Sequence, residues 1–125
     1  TQNHIARAAL EAIAYRVRDV LGIMAQDAEV TLSHVNGDGG AVKNRFLMQF
    51  VADVTRYKVR AASLPELSPL GAVLAGTLGM IVYESLDELA ELPHDFVDYD
   101  PAMAATQAEQ YYAGWQVAVR QILDN

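Results

Sequence analysis

The chain has 125 residues, enough for one domain that buries roughly two-thirds of its unfolded surface. Apolar residues make up 52% and charged residues 20%, which excludes a disordered chain and a coiled coil. Nine basic against 16 acidic side chains leave a net charge of −7, so a general nucleic-acid binder is excluded too. The absence of cysteine rules out disulfide scaffolds, thiolate zinc sites and cysteine nucleophiles, and it fits a reducing compartment.

Thr1–His4 is polar and leads straight into a helical pattern, so no signal peptide is expected. Thr rather than Met at position 1 suggests a cut or excised chain. The first helix is predicted from about His4 to Met24, capped by Asn3, with Ile5, Ala9, Ile13, Val17, Leu21 and Met24 as its apolar stripe. Arg7 and Glu11, four apart, make a local ion pair on a wetted face. A strand is predicted over Glu29–Val35, where β-branched and polar residues alternate. It ends in Asn36-Gly37-Asp38-Gly39-Gly40, a run of turn residues that permits positive φ.

A second helix follows from Ala41–Asn44 to about Arg56, with Phe46, Leu47, Phe50, Val51 and Val54 on its apolar face. Tyr57–Ala62 reads as a second strand, and Leu64–Pro69 as a loop in which Ser68 caps the next helix and Pro69 is its first residue. The stretch between Glu66 and Glu84 carries no charge, but it is short for a membrane span and contains Ser68, Pro69 and three glycines. A buried helix over Leu70–Tyr83 is expected instead, with Gly71, Ala75 and Gly79 letting another backbone come close. Ser85–Leu92 is a short acidic helix, His94–Pro101 a loop, and Thr106–Leu123 the last helix. Its stripe is Ala108, Tyr111, Tyr112, Trp115, Val119 and Ile122.

With no repeat or linker, these elements make one domain, residues 1–125. Two parallel strands form a poor sheet, and the Leu70–Tyr83 helix wants more neighbours than the chain offers. Both point to part of a larger, helix-rich α/β domain.

The strongest local motif is strand, then Gly37-Asp38-Gly39-Gly40-Ala41, then helix. In open α/β sheets ligands bind beyond the carboxyl ends of strands, and glycines there let the backbone approach a phosphate. A tight structural turn accounts for the pattern equally well, and helix capping is the ordinary role of an Asn at position 44. No Walker loop follows, and Val42 stands where a dinucleotide fingerprint needs its third glycine. A calcium loop begun at Asn36 fails at its twelfth position, Leu47. His4, His34 and His94 lack metal-ligand spacing, so no metal site is expected. Asp95, Asp98 and Asp100 read as a solvated loop, and Arg56, Lys58 and Arg60 as charges protecting a strand edge. Without a Gly-x-Ser-x-Gly elbow or any comparable set, no catalytic residue is assigned.

Four runs in order, HIARAALEAIAYRVRDVLGIM, GDGGAVKNRFLMQFVADV, PELSPLGAVLAG and YYAGWQVAV, resemble the C-terminal part of the FGGY family of carbohydrate kinases. Within that family Gly39–Phe50 is most similar to members that phosphorylate glycerol, the leading substrate expectation. The resemblance implies a partial ribonuclease-H-like, actin-like ATPase domain and a cytoplasmic protein. It implies ATP or ADP as ligand, with magnesium held mainly by the nucleotide and by an N-terminal domain. It places Gly40 at the phosphates and Asn44 at the adenine, with Gly39 and Ala41 shaping the turn. Further strands would precede Thr1. Lys43 departs from the smaller residue usual in the family, and Pro69-Leu70-Gly71-Ala72-Val73 from Ala-Leu-Gly-Ala-Ala. The family's catalytic Asp and sugar-contacting residues belong to the N-terminal domain, which this chain lacks, so the chain alone is expected to be inactive and to meet a sugar or polyol only with that domain. The alternative is a non-catalytic assembly module that pairs with a second copy through an exposed sheet edge and the flank of Leu70–Tyr83.

Overall fold

A computed structural model describes residues 1–63, 67–90 and 95–124. In chain order the elements are α1 (Gln2–Ala28), β1 (His34–Gly37), a 3-10 turn (Gly40–Lys43), α2 (Arg45–Thr55), β2 (Lys58–Ala62), α3 (Leu67–Gly79), α4 (Leu86–Ala90), β3 (Phe96–Tyr99) and α5 (Ala105–Leu123). Strand order is β1-β2-β3. β1 pairs parallel to β2 with His34 opposite Lys58, and β3 pairs antiparallel to β2 with Val59 opposite Tyr99.

α2 is the centre of the molecule. Phe50, Val51, Ala52 and Val54 are all buried, between α1 on one side and Val59 and Ala61 of the sheet on the other. An apolar face on a helix excludes water only when another apolar face meets it, and here two do. An aromatic cluster closes the top of this core: Tyr15 meets Phe50 edge-on and Trp115 in a stack, both at 5.6 Å between ring centroids. Burial pushes the Tyr15 hydroxyl up to about 12. α5 is fastened to α1 by polar contacts. The Tyr112 hydroxyl and the Trp115 indole N–H donate to the two oxygens of Asp19, at 2.6 and 3.1 Å. Arg18 donates to both oxygens of Glu109 at 2.7 and 2.9 Å, its guanidinium 3.8 Å from the centre of the Tyr112 ring.

Several expectations need correction. α1 begins after Thr1, so Asn3 lies inside the helix and does not cap it. The face α1 buries runs through Leu10, Ala14, Tyr15 and Val17, whereas Ile5, Ile13 and Met24 of the expected stripe are exposed. Arg7 and Glu11 do pair, at 2.7 Å. The first strand starts at His34 instead of Glu29, because α1 continues to Ala28 and ends with Glu29 in the left-handed conformation (φ 53°). The N–H groups of Glu29 and Val30 then close back on the carbonyls of Gln26 and Ala25.

Part of the expected acidic loop is strand β3. Asp98 sits opposite Arg60 and accepts from both Arg60 and Lys58 at 3.3 Å. Burial alone would raise the Asp98 carboxyl, but the two cations together hold it below its usual range. Lys58 and Arg60 therefore stand on the central strand and bridge to its neighbour, so they guard no edge. Arg56 is off the strand altogether, a left-handed residue (φ 63°) ending α2, and its guanidinium donates to the Met103 carbonyl at 2.8 Å.

α3 starts at Leu67, which puts Ser68 and Pro69 within its first turn instead of at its cap and start. It is not the buried helix expected: Val73 is 62% exposed, and the chain after the helix leaves Ile81 80% exposed. No other described element packs along α3. The Leu64–Glu66 part of the expected loop, the end of the acidic helix (91–92) and His94 lie outside the described residues. Ser85 does cap α4, accepting from the Glu88 N–H at 3.2 Å, while the Glu88 carboxylate accepts from the Glu84 N–H at 2.8 Å. No helix among the described residues is long and apolar enough to cross a membrane.

Candidate functional site

The glycine turn leaves the carboxyl end of β1 and feeds α2 through the 3-10 turn. Its glycines differ in their surroundings. Gly37 lies against the core, where a Cβ would stand in ordinary contact with Val42 Cγ1 at 3.4 Å and Met48 Sδ at 3.8 Å. Gly39 has φ +82° with ψ −173°, a conformation that residues with a Cβ avoid. Gly40 shares neither feature: its φ is ordinary, and a Cβ there would find no atom within 4 Å. What its lack of a side chain provides is an exposed stretch of backbone that another molecule can approach.

Asn44 joins the turn to α2. Its side-chain oxygen accepts from the Leu47 N–H at 3.1 Å, so the capping role expected of it is real. That bond occupies only the oxygen. The amide nitrogen, on a half-buried side chain, makes no hydrogen bond among the described residues. Of the four residues singled out from the sequence, Gly40 and Ala41 are exposed and Gly39 and Asn44 half-buried.

Two concavities reach the start of α2, one through Arg45 and the other through Phe46. One, of about 310 Å³, lies against the sheet and is lined by Val42, Lys43, Arg45, Ser63, Val97 and Tyr99, among others. The other, of about 330 Å³, lies against α1 and is lined by Asn3, Ala6, Arg7, Leu10 and Phe46.

Asp53 is a residue whose role was not read from the sequence. This buried carboxylate accepts from the backbone N–H groups of Ala102 and Met103 at 2.7 and 3.0 Å, and from the Gln49 amide at 3.1 Å. It ties the chain entering α5 to the back of α2 and so holds the helix that carries Asn44. A lone acid amid Phe50, Val51, Ala52 and Val54 was the available signal. The remaining polar candidates stay scattered. Asp100 pairs with Lys58 at 3.5 Å, and His4 and His34 bond only to the neighbouring Thr1 and Ser33 hydroxyls. Among the described residues no three His, Asp or Glu side chains stand together in a way that could hold a metal ion.

A glycine turn beyond a parallel strand, leading into a side-chain-capped helix, lies at the end of the sheet where open α/β folds bind ligands. The fold itself is shared with kinases. It matches the crystal structure of Plasmodium falciparum glycerol kinase with ADP at a TM-score of 0.79, with 28% identity, over 94% of this chain and 24% of that one. It matches xylulose kinase from Rhodospirillum rubrum at 0.77, with 22% identity, over 99% and 25%. It is the helix-rich part of the ribonuclease-H-like, actin-like ATPase fold, with a small mixed sheet of three strands. Residues 1–80 match the C-terminal domain of the FGGY family of carbohydrate kinases, and the chain belongs to that family. Relatives include the glycerol kinases of Shewanella woodyi, 42% identical over 123 residues, and Shewanella frigidimarina, 44% identical over 124. These alignments take in 98% and 99% of this chain, which spans about a quarter (25%) of either relative's length.

Proposed function

We propose that this chain is the nucleotide-binding portion of an ATP-dependent carbohydrate or polyol kinase, with glycerol as the leading substrate. The observation that carries the reading is the pairing of Gly40 with Asn44. One offers bare backbone with open space before it, and the other an amide nitrogen free of internal bonds, one helical turn further on. Such a pair suits a phosphate at the glycine and a base edge at the amide. The glycerol kinase whose structure was solved with ADP shares this fold, which supports nucleotide as the ligand.

In the proposed reaction a substrate hydroxyl forms a new bond to the γ-phosphorus as the bond to the β–γ bridging oxygen breaks. The hydroxyl proton passes to a base outside this chain. Magnesium would arrive on the nucleotide phosphates and offset their charge. This chain's own contribution is to hold the donor, which is a matter of position more than of covalent chemistry. The isolated chain is accordingly expected to bind ADP without phosphorylating glycerol.

An amide NMR titration with Mg-ADP tests the reading. Shifts centred on Gly39, Gly40, Ala41 and Asn44 are expected, and a well-dispersed spectrum that ignores the nucleotide would refute it. One observation favours a second reading, self-association: Val73, Met80, Ile81 and Val82 are all mostly exposed, and among the described residues the sheet ends at β1 and β3. Light scattering would support it by showing a tight dimer whose stability does not depend on nucleotide.

A further inference from the structure

The chain carries nine cations against 16 acids, and six of the nine are already committed. Arg7, Arg16, Arg18, Lys58 and Arg60 are each ion-paired with a carboxylate. Arg56 donates to two backbone carbonyls. Of the remaining three, Arg120 stands alone in the last turn of α5, where the helix dipole favours a positive charge. The other two, Lys43 and Arg45, bracket Asn44 in sequence and line the same cavity of about 310 Å³. Neither has an acidic partner among the described residues. On a chain of net charge −7, two cations at one cavity beside one turn, with no acidic partner among the described residues, mark that place for an anion.

We propose that Lys43 and Arg45 form a cationic subsite that takes the phosphate groups of the bound nucleoside phosphate. This rests on the nucleotide reading of the Gly39–Asn44 turn and extends it to two further residues. Lys43 ends the 3-10 turn that Gly40 begins, so at about 2 Å rise per residue the two backbones lie roughly 6 Å apart along its axis. That is inside the Debye length of about 8 Å at physiological ionic strength, before the reach of either side chain is counted. The apolar walls Val42 and Val97 border the same cavity and screen one side of it from water, which strengthens the attraction. Asp38 is the one acid in the turn, so the local balance remains positive by one.

Calorimetric titrations of the 125-residue chain with adenosine, AMP and ADP test this. The proteins compared are the unmodified chain, the double variant Lys43→Ala/Arg45→Ala, and the charge-keeping double variant Lys43→Arg/Arg45→Lys. Both positions are exposed, so all three should fold. The unmodified chain should bind more tightly as phosphates are added. The alanine variant should match it for adenosine but lose about fivefold per cation for ADP, an effect that fades at high salt. The charge-keeping variant should restore most of that loss. Equal ADP affinity in the unmodified chain and the alanine variant would overturn the subsite and leave the nucleotide reading intact. Failure of the unmodified chain to bind any of the three ligands would overturn both.

Discussion

α2 and α3 are both rich in apolar residues, yet they meet opposite fates. α2 is enclosed by α1 and the sheet, and Phe50 and Val54 see almost no solvent. α3 carries no charged residue, unlike α2, and yet Val73 remains mostly in water. Hydrophobicity supplies the reason for burial, but burial happens only where a complementary surface exists. α2 has a one-sided pattern with a partner for that side. α3 is apolar nearly all round, and no described element packs along it.

The contrast can be broken most directly by truncating one large side chain in each helix. Phe50→Ala should cost about 3–5 kcal/mol in urea unfolding, through lost transfer free energy and a cavity under Tyr15. Val73→Ala should stay within about 0.5 kcal/mol. A comparable loss at Val73 would mean that α3 is covered in solution. Next in size, Asp53→Ala should cost about 2–3 kcal/mol, because two backbone N–H groups lose a charged acceptor. Faster hydrogen exchange at Ala102 and Met103 would locate that loss.

Alkaline titration examines the packed region alone. The Tyr15 hydroxyl is raised to about 12 from an ordinary value of 10, so the folded state holds its proton more tightly than the unfolded chain does. Stability from this group is complete below pH 10 and is lost as pH rises through about 12. Phenolate absorbance followed together with circular dichroism should show the last tyrosines ionising as the fold melts. Smallest, and opposite in sign, is Gly76→Ala. A Cβ there would meet nothing within 4 Å, so helix propensity alone should steady α3 by up to about 1 kcal/mol. Protection factors along Gly71–Gly79 would report it, and a loss of protection would reveal a close neighbour at that glycine.

Much of the molecule was legible before any coordinates. The helices keep their order, β2 lies within one residue of its expected start, and Asn44 caps α2 as an Asn before an apolar run should. The errors share a cause. β3 looked like a loop because Asp98 and Asp100 are poor strand formers in isolation, and only Lys58 and Arg60 across the ladder make Asp98 welcome there. The buried line of α1 departs from the expected stripe because Ile5, Ala9 and Ile13 are as periodic as Leu10 and Ala14, and both lines run into Val17, which does pack on the core. Periodicity shows that a helix has an apolar face, not which of two such faces meets the core. The four candidate residues lie within the short run Gly39–Asn44 and can be read together, whereas Asp53 reaches its partners across about fifty positions.

By itself, then, the sequence determined the helical segments, the glycine turn and its capping Asn, and the family resemblance. Each depends on neighbours a few positions apart. The tertiary structure alone decided which apolar faces are covered, how three short strands make a mixed sheet, and that Lys43 and Arg45 line one cavity. Those outcomes depend on surfaces that meet only after the chain has folded, and local spacing carries no information about them.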